Sequence, residues 1–306
     1  MSESLRLSVP DLGSADDVSA FFRVAGAAKD VDGYDPFNEQ ARLDVASGHR
    51  TPILVTFSST DAVWQPDAAG PPVVGAAIVG AGELDLVIDP VFRGKGYGRL
   101  AATGLLPHLH GTVTAWSHGD HPAARALAPR FAFEPVRTLL QLRMEPIPQE
   151  YAGPAEGDSG VSVGAFLPGA DETEWLALNA RAFAHHPEQG GITLEDLLTR
   201  EAEPWFEPGD FLVARTGDGR MVGYNWLKLE PGGSDGEVYV IGVDTASAGR
   251  GLGRQLMRAG LARMLERGRT SATLYVEADN DAAVHLYRSL GFADHTIDVQ
   301  YRRAAT

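Results

Sequence analysis

The chain has 306 residues, room for two domains at about 150 residues each. Its 44% hydrophobic and 22% charged residues suit buried cores rather than a disordered polymer. A net charge of −15, from 26 basic and 41 acidic residues, repels phosphate backbones and argues against nucleic acid as a partner, while the absence of cysteine excludes disulfides, thiolate metal sites and a cysteine nucleophile. No apolar run approaches the roughly 18 residues of a membrane span, and Met1-Ser2-Glu3-Ser4 does not open a signal peptide. A cytoplasmic monomer with no membrane partner is expected.

In chain order, the first half reads as a helix over 15–27, then strands over 53–57 and 73–79 separated by a Gly/Pro loop at 67–72. A third strand, 84–88, leads through a glycine-rich turn into a helix over 98–110. A strand over 113–117, a helix over 123–129 and a closing strand follow. Residues 145–158 are rich in Pro, Gly and acid and have no apolar period, which reads as a linker. The second half then repeats the order: a helix over 171–184, strands over 211–216, 222–228 and 237–243, a helix over 253–268, a strand over 272–277, a helix over 282–290 and a closing strand.

The repetition extends to single residues. Asp89, Gly96, Gly98 and Arg99 recur as Asp244, Gly251, Gly253 and Arg254 at an offset of 155. Trp116, Asp120, Ala123, Ala124, Leu127 and Phe133 recur as Tyr275, Asp279, Ala282, Ala283, Leu286 and Phe292 at 159, so about four residues are inserted between the two blocks. Two copies of one domain are therefore expected, 1–146 and 159–306, joined by 147–158. The fold class is α/β (or α+β), each copy a mixed central sheet with helices on its faces.

The chemistry-bearing motif of the second half runs from Glu237-Val238-Tyr239-Val240-Ile241-Gly242-Val243-Asp244 into Ala248-Gly249-Arg250-Gly251-Leu252-Gly253-Arg254 and then a helix. Such a turn presents free backbone N–H groups and the positive end of the helix dipole, a place for a pyrophosphate. No Gly-Lys-Ser/Thr of a P-loop is present, and the acidic residue that a dinucleotide site wants about 20 residues on is missing. The first half carries the same turn as Arg93-Gly94-Lys95-Gly96-Tyr97-Gly98-Arg99.

The second context motif is Asn280-Asp281-Ala282-Ala283-Val284-His285-Leu286-Tyr287-Arg288-Ser289-Leu290-Gly291-Phe292. With the glycine-rich turn, it resembles the Asn-x-x-Ala…Tyr-x-x-x-Gly-Phe signature of the GNAT superfamily of N-acetyltransferases. The segment Phe183-Ala184-His185-His186-Pro187-Glu188-Gln189-Gly190-Gly191, Trp226-x-Lys228 and Glu237-Val238-Tyr239-Val240 tighten the likeness to the mycothiol synthase family. Those are tandem GNAT proteins of actinobacteria that acetylate the cysteine amine of cysteinyl-glucosaminyl-inositol.

The resemblance implies acetyl-CoA as acetyl donor and no metal. Backbone of Ile241, Gly242 and Val243 would pair with the pantetheine arm, and the N–H groups of residues 248–254 would hold the pyrophosphate. Ala248 departs from the usual Gln or Arg, whereas Arg93 keeps it in the first half. Asn280, Asp281, Ala282, Ala283, Val284 and His285 would touch the cofactor's pantetheine and far end. Leu86, Val87 and Ile88, with the turn from Arg93 to Arg99, are the first half's equivalents. Glu237 resembles the family's base and Tyr287 the acid that reprotonates the departing thiolate. The N–H of Val243 or a neighbour would polarise the carbonyl. Glu39, Glu188, Lys228, Glu237 and Tyr275 would recognise a small-molecule thiol and amine glycoside, Glu39 reaching from the first half. His185 and His186 lack a third ligand at sensible spacing, so a loop role is favoured over a metal.

Two alternatives stay open: another amine acceptor (an aminoglycoside, a polyamine or a protein amine), or an acetyl-CoA sensor without catalysis. The first half is expected to bind acetyl-CoA and transfer nothing. At the two offsets Ala128 stands for Tyr287, Gly82 for Glu237 and Ala132 for Gly291, while Glu83 is expected on the opposite face of its strand.

Overall fold

The computed structural model describes residues 4–11, 13–57, 72–153, 160–184 and 189–305. It divides into two compact units, Met1–Leu139 with Thr296–Thr306, and Leu140–His295. This differs from the expected division at 146 and 159. The reason lies in the closing strands, which do not close their own halves.

Unit one opens with β1 (Leu5–Ser8), α1 (Ala15–Asp32) and α2 (Glu39–Ala46). Then come β2 (Thr51–Phe57), β3 (Val73–Gly80), β4 (Glu83–Ile88), α3 (Tyr97–Leu105), β5 (Val113–Ser117) and α4 (Pro122–Leu127). The Ser14 hydroxyl caps α1 by accepting from the Asp17 amide, two acids sit in its first turn, and Gly33 at φ 82° stops it. Alternation along β3 then sorts the core. Ala76 and Ile78 pack with Phe21, Val24 and Ala28 of α1, while Ala77 faces Ala102 and Leu105 of α3.

β6 (Glu134–Met144) starts in unit one, but its residues 140–144 belong to unit two, as the strand beside β11 (Ser271–Glu277). The reverse holds for β12 (Ala293–Arg303). Its residues 296–303 belong to unit one, where Val299 to Arg303 pair antiparallel with Ser117 to Val113 of β5. Each sheet is thus completed by the last strand of the other half of the sequence. Unit one has the order β1-β2-β3-β4-β5-β12.

Unit two contains β7 (Val161–Ala165), α5 (Glu172–Ala182), α6 (Leu194–Glu201), β8 (Phe211–Thr216) and β9 (Met221–Lys228). It continues with β10 (Asp235–Val243), α7 (Leu252–Glu266), β11 and α8 (Asp281–Ser289), in the sheet order β6-β11-β10-β9-β8-β7. One face buries Trp175, Phe211, Tyr224 and Trp226 under α5 and α6. The other buries Leu227, Val238, Met257, Leu261 and Leu274 under α7 and α8. The expected linker is in part core: Ile147 and Tyr151 are buried there, and the Tyr151 hydroxyl donates to the Leu290 carbonyl at 2.6 Å. Residues 154–159 lie outside the described residues, as do 67–71 of the expected loop. Strands β1 and β7 and helices α2 and α6 were not foreseen.

After the turn that follows α4, Ala132 adopts φ 58°, where unit two has Gly291 at φ 103°. A Cβ in the left-handed region costs about 1–2 kcal/mol, partly offset by the greater chain entropy of glycine. Ala132→Gly is expected to stabilise unit one by about 0.5–1 kcal/mol, read as a rise in the thermal midpoint; a fall would show that Ala132 is held by its packing.

Candidate active site

Strand β10 decides the geometry of unit two. It pairs parallel with β11 only from Asp235 to Val238, opposite Ser271 to Leu274. Beyond Val238 it keeps its antiparallel partner β9 as far as Val243, opposite Gly223. Among the described residues no strand pairs with the β11 side of 240–243, so backbone groups there face an open gap. An extended chain with amide groups, such as a pantetheine arm, fits such an edge by strand addition.

The gap ends at the glycine-rich turn. Asp244, 4% exposed, anchors it: one carboxylate oxygen accepts from the Ala246 amide at 3.0 Å and the other lies 3.3 and 3.4 Å from Arg181 and Arg220. Gly251 holds φ 79° and gives way to α7, whose first-turn amides have no side-chain cap. They are donors for an anion. Gly242 has a different reason: a Cβ there would meet the Tyr224 ring at 2.7 Å.

A β-bulge between Val238 and Val240 makes Tyr239 an extra residue. Tyr239 shares the face of Glu237 by ordinary alternation and the bulge adds Val240 to that face; Glu237 lies opposite Lys228 of β9. The Lys228 ammonium sits 5.2 Å over the Trp205 ring and 5.9 Å over Tyr239, and 3.6 Å from Glu230. Arg200 Nε donates to the Tyr239 hydroxyl at 3.0 Å. Glu237 is half-buried. Tyr287 lies under the opposite face, 6% exposed, and burial pushes its hydroxyl up to about 12. Asn280 caps α8 through the Ala283 amide at 3.2 Å. On β11, Tyr275 is 43% exposed and its hydroxyl accepts from Gln141 at 3.0 Å.

Unit one repeats the gap. β4 and β5 pair at Glu83 and Thr114. A cavity of about 750 Å³ is lined by both strands, the turn from Arg93 to Arg99, and α4. β4 carries no bulge, and that corrects the sequence alignment of the two halves. Glu83 lies opposite Gly80 as Glu237 lies opposite Lys228, and opposite Thr114 as Glu237 lies opposite Thr273. Glu83, not Gly82, is the register equivalent of Glu237, on the same face rather than the opposite one. Its carboxylate is held by Arg50 at 2.8 Å, a fully buried guanidinium that also binds Asp85 at 2.6 Å and the Ile78 carbonyl.

The family model described as Acetyltransferase (GNAT) family matches residues 175–292. A mycothiol acetyltransferase of Clavibacter sepedonicus is 44% identical over 94% of this chain and 93% of its own length, and one of Streptomyces avermitilis is 42% identical over 89% and 87%. The chain belongs to the mycothiol acetyltransferase family. Among solved structures, a tandem GNAT protein from the clavulanic acid biosynthesis pathway superposes with a TM-score of 0.69 at 17% identity, covering 99% of both chains. A GCN5-related N-acetyltransferase from Sphaerobacter thermophilus gives 0.69 at 22%, covering 98% of this chain and 95% of its own. The fold is thus that of GNAT proteins and the chain is an acyltransferase.

For a mycothiol acetyltransferase family member, the anticipated residues fall into groups. Ile241, Gly242 and Val243 flank the gap, and Gly249 and Gly251 shape the turn. Side chains of Leu252, Val284, Val87 and Tyr97 are buried, and Val87 and Tyr97 line the cavity of unit one. Arg254 donates to Ser289 at 2.6 Å. Arg93 does not aim a free guanidinium at the turn: it forms a two-point ion pair with Asp32 at 2.7 and 2.8 Å and bonds the Ile88 carbonyl. Lys95 lies over Phe92. Glu39 opens α2 of unit one. Glu188, His185 and His186 lie outside the described residues, and no metal-binding group of three side chains occurs among the described ones. Nor is any described helix long and apolar enough to cross a membrane.

Sequence reasoning missed Tyr239, Arg200 and Trp205, which come together from three separate segments of the chain. It also missed a buried cluster in unit one, where His118 Nδ1 bonds Asp298 at 2.8 Å and Gly119 donates to the same carboxylate. Burial opposes the His118 charge, but Asp298 outweighs it and raises the pKa.

Proposed function

We propose that the chain acetylates the cysteine amine of cysteinyl-glucosaminyl-inositol with acetyl-CoA, giving mycothiol, and that unit two carries the reaction. The early end of the β10–β11 ladder carries this reading. It opens a gap between the face bearing Glu237 and the face burying Tyr287, which supports a thioester bound between the two groups.

Acetyl-CoA would supply the activated acyl carbon and a thiol leaving group. The edge at 240–243 and the amides of 248–254 fit it, because both present backbone groups without strand or side-chain partners in the described residues. Glu237 takes the proton that the attacking ammonium must lose, directly or through water. Tyr287, held protonated by its burial, returns a proton to the thiolate. The N–H of Val243 or a neighbour polarises the carbonyl oxygen. Lys228 and Tyr275, with Glu188, bind the hydroxyl-rich acceptor. Unit one holds a coenzyme A thioester without turning it over: Ala128 has no proton to give, and Arg50 neutralises the carboxylate at the base's position.

A thiol-release assay with acetyl-CoA and a panel of amines tests the acceptor. Cysteinyl-glucosaminyl-inositol is expected to give the highest kcat/KM, well above an aminoglycoside or a polyamine. Equal turnover of a polyamine would sink the assignment.

A further inference from the structure

The two units differ where their cores meet the gap. Register and offset place Ala102 of α3, Ala115 of β5 and Ala128 beyond α4 where unit two has Met257, Leu274 and Tyr287. In unit two these three side chains are 0%, 1% and 6% exposed and belong to one continuous core. In unit one all three alanines line the cavity of about 750 Å³. Roughly a dozen side-chain heavy atoms are therefore missing from one side of one space, and the neighbours have not collapsed to fill it.

The cavity lining is mostly apolar, although Asp32, Arg93, Ser117, His118, His121 and Arg130 also line it, and it includes the phosphate turn. Leu84, Leu106, Phe133 and Tyr301 line it together with the alanines, and Gly94, Gly96 and Gly98 of the turn line the same cavity. A ligand anchored by phosphate at that turn and extended along β4 therefore has apolar space beyond the thioester. An acetyl group leaves such space without contacts, whereas a longer saturated chain fills it.

We propose that unit one binds a coenzyme A thioester whose acyl chain is longer than acetyl, of about four to six carbons, with the chain lodged among Ala102, Ala115 and Ala128. This rests on the reading that unit one holds a coenzyme A thioester. Each methylene brought out of water strengthens binding about fourfold. Hexanoyl-CoA should therefore bind one site of the chain at least about tenfold more tightly than acetyl-CoA, even with partial filling.

Isothermal titration of the full chain with acetyl-, butyryl- and hexanoyl-CoA reads this directly. Two equivalents are expected, one of them with affinity rising along the series. Ala128→Phe and, separately, Ala102→Met return bulk to the hollow and are expected to abolish the rise, with unfolding midpoints recorded for each. Two equivalents with no dependence on chain length overturn the inference and leave unit one as an acetyl-CoA site. A single equivalent of every thioester overturns the underlying reading instead. A rise that survives in a folded variant places the chain elsewhere and also overturns the proposal; should neither variant fold, the wild-type series decides.

Discussion

Glu237→Gln is expected to lower turnover at pH 7 by about 10²-fold or more, the ordinary share of a positioned general base. The substitution keeps size and strand register, so acetyl-CoA affinity should stay within about twofold. An α-amino group of pKa near 8 is largely protonated at pH 6 and largely free at pH 9. The deficit should therefore be greatest at low pH and shrink as solvent takes over the deprotonation. A rate equal to wild type from pH 6 to 9 removes Glu237 from the chemistry. Lys228, opposite it in the ladder, then becomes the group to test.

Tyr287→Phe should reduce kcat by roughly 10²-fold or more while the fold is retained, because the ring sits in a core where only the hydroxyl changes. With its hydroxyl pushed up to about 12, the tyrosine stays protonated throughout the working range. The wild-type profile should accordingly show no alkaline fall below pH 10 from this group. The experiment is a pH–rate profile of both proteins with the acetyl-CoA Kd measured in parallel. A drop under about threefold would make Tyr287 a packing residue beside Phe292, whose ring lies 6.2 Å away.

The duplicated turn and the Asn280–Phe292 string were legible in the sequence because they are local: caps, left-handed glycines and helix periods lie within a few residues of one another. The same locality explains what was lost. One extra residue in β10 does not disturb the glycine-side offset, so the spacing pointed to Gly82 where the ladder has Glu83. Arg50 reaches Glu83 and Asp85 across more than thirty positions of sequence. The bond from His118 to Asp298 spans 180. No periodicity announces such pairs. The gap itself also left no sequence signal, since it is a place where a ladder stops.

The exchange of β6 and β12 has a consequence for how the molecule can be made. Hydrophobic positions on β12, Val299 and Tyr301, are part of unit one's core with Ile53 and Ala77, far earlier in the chain. During synthesis from the N-terminus, the edge of β5 must wait for nearly the whole polypeptide before its neighbour exists. Closing so long a loop is slow, and an unpaired edge invites association with other chains meanwhile. Cutting between 153 and 160 would give two fragments that each carry a strand belonging to the other's sheet. Such fragments should be poorly soluble when expressed apart and should recover structure when produced together. In this respect the two repeats of the sequence are expected to fold as one unit.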